Sequence, residues 1–152
     1  MKEKFVNAYM KVAETFSELS TARRLHVGAI VVKDDRIISI GYNGMPSGWD
    51  NDCEDLLVYR KEIEPGVFNN EYKHEWKTKP EVLHAETNAI AKLAKSTESG
   101  DGATMFITHS PCLDCAKLIY QSGIKSVYYR NTYRSEDGIE FLKKCNIEVK
   151  KT

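Results

Sequence analysis

Two short runs carry the sharpest chemistry in this chain: His84-Ala85-Glu86, and Pro111-Cys112-Leu113-Asp114-Cys115. A catalytic zinc takes three protein ligands and keeps a fourth position open for water. His84, Cys112 and Cys115 offer one imidazole and two thiolates, and Glu86 is left as a carboxylate that can move the water's proton. Bound zinc lowers the pKa of its water from about 15.7 to about 7, so this donor set points to hydrolysis near neutral pH. Alone, a His-x-Glu is ordinary helix surface, and a Cys-x-x-Cys is redox, structural or chance. The two runs together, in this order and separated by residues 87–110, are far more specific. Asp114 lies between the cysteines but faces away from them on a helix, which suits a solvated or capping role.

The flanking segments predict how these residues are held. Phe5, Ala8, Tyr9, Val12, Ala13, Phe16 and Leu19 recur at helical spacing, so residues 3–19 read as an amphipathic helix. Residues 27–32 and 36–42 are rich in β-formers around a Lys33-Asp34-Asp35 turn and read as a hairpin. Residues 43–82 show no sustained period, a length that favours a functional insert over a linker; Leu56 to Tyr59 add a short helix in this reading. Helices follow at 85–94, 112–122 and 136–144, and strands at 103–108, 126–130 and 147–149. Strands alternating with helices predict a layered α/β domain with some parallel pairing. Two helix beginnings would meet at the metal. Their partial positive charge lowers thiol pKa values and helps make the thiolates zinc requires.

Composition sets the bounds. A chain of 152 residues fits one domain, 1–152, with the insert at about 43–82. Its 22 basic and 22 acidic side chains cancel, which argues against a nucleic acid polymer as substrate. No apolar run has membrane-spanning length, and Met1-Lys2-Glu3-Lys4 does not open a signal-peptide core, so the expectation is cytoplasmic with no membrane partner. Four cysteines fit a reducing compartment, since zinc needs thiolates and not disulfides.

With these residues in view, the chain resembles the deoxycytidylate (dCMP) deaminases of the cytidine deaminase superfamily over nearly all of residues 5–149. The likeness rests on Val27-Gly28-Ala29, Gly41-Tyr42-Asn43-Gly44-Met45-Pro46-Ser47-Gly48, His84-Ala85-Glu86-Thr87-Asn88-Ala89-Ile90, Ser110-Pro111-Cys112-Leu113-Asp114-Cys115 and Gly123-Ile124-Lys125. The His-x-Glu and Cys-x-x-Cys pair is shared by zinc-dependent nucleobase deaminases in general. The GYNGMPSG run and the insert after it resemble the deoxycytidylate branch in particular. The resemblance implies a three-layer α/β/α fold on a mixed, mostly five-stranded sheet. It implies hydrolysis of dCMP to dUMP and ammonia, supplying the thymidylate precursor, with Zn2+ on His84, Cys112 and Cys115 and Glu86 as the catalytic acid and base.

Further roles come from the same resemblance. Asn43 would bond the sugar 3′ hydroxyl, the Ala85 N–H the pyrimidine O2, and the Ser110 carbonyl the departing amine. Val27 and Gly28 would wall the base, while Arg24, His26 and Tyr133 would serve the 5′-phosphate; close packing is an equal reading of Gly28, as is a solvated basic turn of the arginines. Tyr42, Gly44, Met45, Pro46, Ser47 and Gly48 would form an allosteric site for dCTP as activator and dTTP as inhibitor, bound with Mg2+ at a subunit boundary of a hexamer. Those glycines and Pro46 would equally well shape a turn. Some members hold a second, structural zinc; Cys53 and His74 match two of its ligands, but Ala22 stands where a cysteine is expected. Two other functions stay open at this stage: a deaminase acting on a base in RNA, and an inactive structural-zinc or nucleotide-sensing module.

Overall fold

The computed structural model describes all of residues 1–152. Its elements in chain order are α1 (Glu3–Ser17), β1 (Gly28–Lys33), β2 (Arg36–Tyr42), β3 (Glu54–Glu64), β4 (Val67–Thr78), α2 (Ala85–Ala94), β5 (Thr104–His109), α3 (Leu113–Gln121), β6 (Ser126–Asn131), α4 (Asp137–Lys144) and β7 (Glu148–Lys151). Five strands form one sheet in the order β2-β1-β5-β6-β7. β1 is antiparallel to β2 and β5, whereas β5, β6 and β7 run parallel. The parallel pairs are joined through α3 and α4, as crossover connections require.

Side-chain alternation along the strands divides the core in two. Ile30, Val32, Phe106 and Tyr128 face α1, where they meet Val6, Met10 and Ala13. Ala29, Val31, Met105, Ile107 and Val127 face the opposite way and pack on Ala85, Ala89 and Leu93 of α2, Ala116 and Ile119 of α3, and Leu142 of α4. Helices on both faces of a mixed five-stranded sheet make the three-layer α/β/α architecture. The β1–β2 turn consists of Asp34 and Asp35, both at positive φ (50° and 57°), the conformation a tight two-residue hairpin demands.

The insert departs from expectation. Leu56 to Tyr59 form no helix; they lie in β3, paired antiparallel with β4 through a register that runs from Glu54↔Thr78 to Glu64↔Val67. Pro65 and Gly66, the latter at φ 79°, close the turn, a Pro-Gly corner of the kind that reverses a chain tightly. The hairpin stands alone as a two-stranded sheet. Leu57, Val58, Tyr59, Ile63, Phe68 and Tyr72 are exposed on it, on both faces. No helix is long and apolar enough to cross a membrane.

Candidate active site

The metal-type residues come together at two helix starts. His84 is the residue before α2 and Cys112 the residue before α3, both with extended backbone, so each helix presents its unpaired first N–H groups to the same place. His84 Nδ1 lies 3.7 Å from Cys112 Sγ and 3.3 Å from Cys115 Sγ. A tetrahedral zinc with ordinary N and S bond lengths spaces such ligand atoms about 3.6 Å apart, so the three residues fit the ion. They form the chain's one cluster of three or more potential metal ligands. Asp114 stays outside it, paired with Lys117 at 3.0 Å with its side chain 88% exposed.

Electrostatics match that chemistry. Hydrogen bonding from Cys115 and His84 pulls the Cys112 thiol down to about 4. The Cys115 thiol is pushed the other way, up, by its bond to Cys112 and by burial. His84 is raised by its bond to Cys112. Glu86 is buried beside them, and desolvation pushes its carboxyl up to about 7, which suits a group that must both accept and return a proton near neutrality.

A cavity of about 390 Å³ opens on this cluster. Of the residues singled out by sequence, His84, Ala85, Glu86, Cys112, Arg24, Val27, Asn43, Ser110 and Tyr133 line it. Ala85 is the first residue of α2, so its N–H has no partner within the helix. Asn43 braces the segment before β1, donating to the Leu25 carbonyl (2.8 Å) and accepting from the Val27 N–H (2.8 Å). Ser110 Oγ accepts from the Tyr133 N–H (2.8 Å), which ties the loop after β6 to the end of β5.

Two expected substrate-binding residues are not on the cavity wall. Gly28 faces α1: a Cβ there would lie 2.0 Å from the Ala13 carbonyl oxygen, so the glycine serves the close approach of α1 to β1. His26 turns back on its own segment and donates from Nε2 to the Ala22 carbonyl at 2.7 Å. The second-metal residues do not meet either. Cys53 is fully buried in an apolar cluster with Ala22 and Val82, flanked by Met45. His74 sits opposite Val58, four residues along β4 from Thr78, roughly 13 Å up the hairpin at ordinary strand rise. These residues do not fit a second zinc.

Of the GYNGMPSG run, only Asn43 reaches the cavity. Gly44 and Leu83 exchange both backbone hydrogen bonds (3.1 and 2.8 Å), so the loop is fastened one residue from His84. Gly48 has φ 86°, with open space where a side chain would be.

Glu54, Thr78, His109 and Arg134 are among the lining residues that went unread in the sequence. His109 bonds Thr108 Oγ1 at 3.0 Å and meets the Tyr133 ring edge-on, and burial holds its imidazole below the ordinary value. The Arg134 guanidinium lies over the Tyr133 ring at 5.2 Å, with a positive φ of 38°. Arg23, Arg36 and Arg130 each pair with a carboxylate; Arg24 and Arg134 do not. The adjacency of Arg134 to Tyr133 was the one available signal.

A His-Cys-Cys cluster, a buried glutamate and two unpaired arginines in one cavity call for comparison with known proteins. The family profile described as "Cytidine and deoxycytidylate deaminase zinc-binding region" matches residues 3–131. The deoxycytidylate deaminase of Enterobacteria phage T4 is 36% identical over 172 residues, covering 92% of this chain and 86% of its own. That of Mus musculus is 38% identical over 122 residues, covering 80% of this chain and 61% of its own. Among solved structures, the dCMP deaminase of cyanophage S-TIM5 in complex with dCMP and dUMP superposes with a TM-score of 0.83 at 49% identity, covering 100% of this chain and 99% of that one. With its His84–Glu86 and Cys112–Cys115 runs inside the matched region, this chain belongs to the cytidine and deoxycytidylate deaminase family and is a deaminase of its deoxycytidylate branch.

Proposed function

We propose that the protein hydrolyses dCMP to dUMP and ammonia, the product being the precursor of thymidylate. The observation that carries this reading is the single cavity shared by His84, Cys112 and Glu86 and by Arg24 and Arg134, two guanidiniums without a carboxylate partner. A deaminating centre beside free cations suits a pyrimidine that carries a phosphate. The cyanophage relative's complex with dCMP and dUMP supports the same substrate.

Each residue then has a task. Zinc held by His84, Cys112 and Cys115 supplies, when bound, a water acidic enough to lose its proton near pH 7. Glu86 accepts that proton and gives it to the ring nitrogen as the hydroxide oxygen bonds C4. It then takes the proton of the new C4 hydroxyl and passes it to the amine, so that the C4–N bond breaks, ammonia leaves and the carbonyl of dUMP forms. The Ala85 N–H receives the pyrimidine O2, and the Ser110 carbonyl accepts from the amine. Asn43, already held by the backbone at Leu25 and Val27, meets the sugar 3′ hydroxyl with its remaining hydrogen-bonding capacity. Val27 gives the base an apolar wall, and Arg24, Arg134 and Tyr133 hold the 5′-phosphate. A spectroscopic assay with dCMP, deoxycytidine and cytidine tests the reading. We expect dCMP to be strongly preferred; equal use of deoxycytidine would remove the phosphate site.

Regulation and assembly belong to the same proposal. dCTP activates and dTTP inhibits, each carrying Mg2+, at the loop of Tyr42, Gly44, Met45, Pro46, Ser47 and Gly48. The double hydrogen bond between Gly44 and Leu83 supports this, because movement of the loop is felt one residue from His84. The working form is a hexamer. An isolated hairpin with apolar side chains on both faces is marginal in water and gains by packing on neighbouring subunits. All four cysteines are free, which suits a cytoplasmic location. Sizing chromatography and dCMP saturation curves with each triphosphate decide the point; a monomer indifferent to both would refute it.

A further inference from the structure

The β3–β4 hairpin reaches the substrate cavity at its root, through one cross-strand pair. Glu54 opens β3 and Thr78 closes β4, and the two are register partners. Glu54 Oε1 accepts the N–H groups of Arg23 (2.9 Å) and Arg24 (3.1 Å). Thr78 Oγ1 accepts from Arg24 Nη1 at 3.2 Å. One end of Arg24 is therefore held by Glu54 and the other by the residue facing Glu54 across the hairpin. The Glu54 side chain is 1% exposed, a setting in which a carboxylate is retained only with strong partners. Its Oε2 has no hydrogen-bond partner and lies 3.7 Å from Arg23 Nη1.

The grip also separates two adjacent arginines. With both N–H groups on one carboxylate oxygen, Arg23 turns outward to Asp52 and stacks on Trp76 of β4 at 4.6 Å. Arg24 turns inward and lines the cavity. Arg23 is consumed by the hairpin; Arg24 is left free of any carboxylate.

We propose that Glu54 is a positioning residue for substrate recognition: it sets Arg24 to receive the 5′-phosphate, with Thr78 as its accessory at the guanidinium end. The assignment rests on the dCMP reading above. Glu54 does not touch the reacting atoms, so its removal acts on the binding of phosphorylated pyrimidines and not on the chemical step. The root of the hairpin thereby becomes part of the specificity apparatus, although the hairpin itself lies outside the catalytic layers.

The test uses zinc-loaded enzyme and five variants: Glu54→Ala, Glu54→Gln, Thr78→Val, Arg24→Ala and the Glu54→Ala/Arg24→Ala double. Readouts are KM and kcat on dCMP, kcat/KM on deoxycytidine, and dUMP affinity by calorimetry. Glu54→Ala should raise KM for dCMP and weaken dUMP binding about 10- to 100-fold, the usual cost of losing charge-assisted hydrogen bonds, with kcat lowered no more than about threefold. Glu54→Gln keeps an acceptor oxygen and should restore binding to within about threefold. The double variant should bind dUMP no more weakly than Arg24→Ala alone, because the carboxylate acts through that arginine. Independent, multiplying losses, or an equal fall of kcat on dCMP and of kcat/KM on deoxycytidine, would overturn the assignment. If Glu54→Ala does not fold, Thr78→Val decides: a threefold or greater rise in KM (about 0.6 kcal/mol) supports the clamp, and no rise overturns it. A loss of dCMP preference in the unaltered enzyme removes the substrate reading itself. Preference retained while the variants stay silent removes only the role of Glu54.

Discussion

Gly138 and Pro111 meet at a distance that only a residue without a side chain allows: a Cβ on Gly138 would stand 2.2 Å from the Pro111 carbonyl oxygen and 2.9 Å from that of Cys112. The first turn of α4 thus buttresses the bend that delivers Cys112 to His84. Gly138→Ala forces one of the two backbones to move. We expect destabilisation of about 1–3 kcal/mol, typical of overpacking, together with weaker zinc retention. Thermal unfolding and metal analysis after dialysis check it; unchanged values for both would mean the contact has slack.

Glu86→Gln should keep zinc and substrate binding yet lose activity by about 10²–10⁴-fold, the usual contribution of a general acid–base group. The amide fills the same buried space without a proton to exchange. Steady-state turnover alongside dUMP calorimetry separates the two effects. Near-normal turnover in the variant would be fatal to the assigned role.

Arg134 is the second unpaired guanidinium of the cavity, stacked over Tyr133. Arg134→Ala should narrow the preference for dCMP over deoxycytidine about tenfold, as expected from removal of one charge-assisted phosphate contact. Competition between the two substrates measures this directly. An unaltered ratio would place the phosphate elsewhere.

One zinc should be found per chain. Ala22→Cys should not add another, because Cys53 lies in an apolar cluster at the hairpin root while His74 stands far along β4. Metal analysis of purified protein and variant settles the stoichiometry; two equivalents in either would require a different hairpin.

Acidification should act on His109. Burial holds its imidazole below the ordinary value of 6.5, so the unfolded chain takes up this proton more readily than the folded protein. The stability linked to this group is therefore complete above about pH 6.5 and is lost as pH falls toward the depressed value. His109→Gln should flatten the decline of the unfolding midpoint between about pH 7 and pH 5. Parallel curves for the two proteins would show that His109 does not titrate against folding.

What could be read in the sequence was whatever local spacing dictates. The α2 helix at 85–94, the Asp34-Asp35 turn and the two ligand runs follow from residues a few positions apart. The hairpin escaped because Leu56, Leu57, Val58 and Tyr59 are consecutive apolar residues, and a short continuous run has no period to separate strand from helix. Gly28 and Val27 are neighbours in an extended segment, so only one can face the cavity, and their order does not say which. Glu54 and Thr78 lay beyond reach for another reason. Their contacts to Arg24 span 30 and 54 residues and exist only once the hairpin has closed.

The hairpin joins the rest of the molecule over a narrow neck, at Glu54 and Thr78 with Asp55 and Trp76 beside them, while the residues nearer the tip pair with one another across the register. That geometry leaves its outer part open to change during descent. Paired residues can be inserted or deleted toward the Pro65-Gly66 tip without displacing any atom of the His84, Cys112 and Cys115 cluster. For the metal cluster, variation in arm length between lineages is therefore cheap, whereas variation at the neck is not. Drift in one part of the fold and constancy in the adjoining part would be the evolutionary trace of where the arm stops being ornament and becomes recognition.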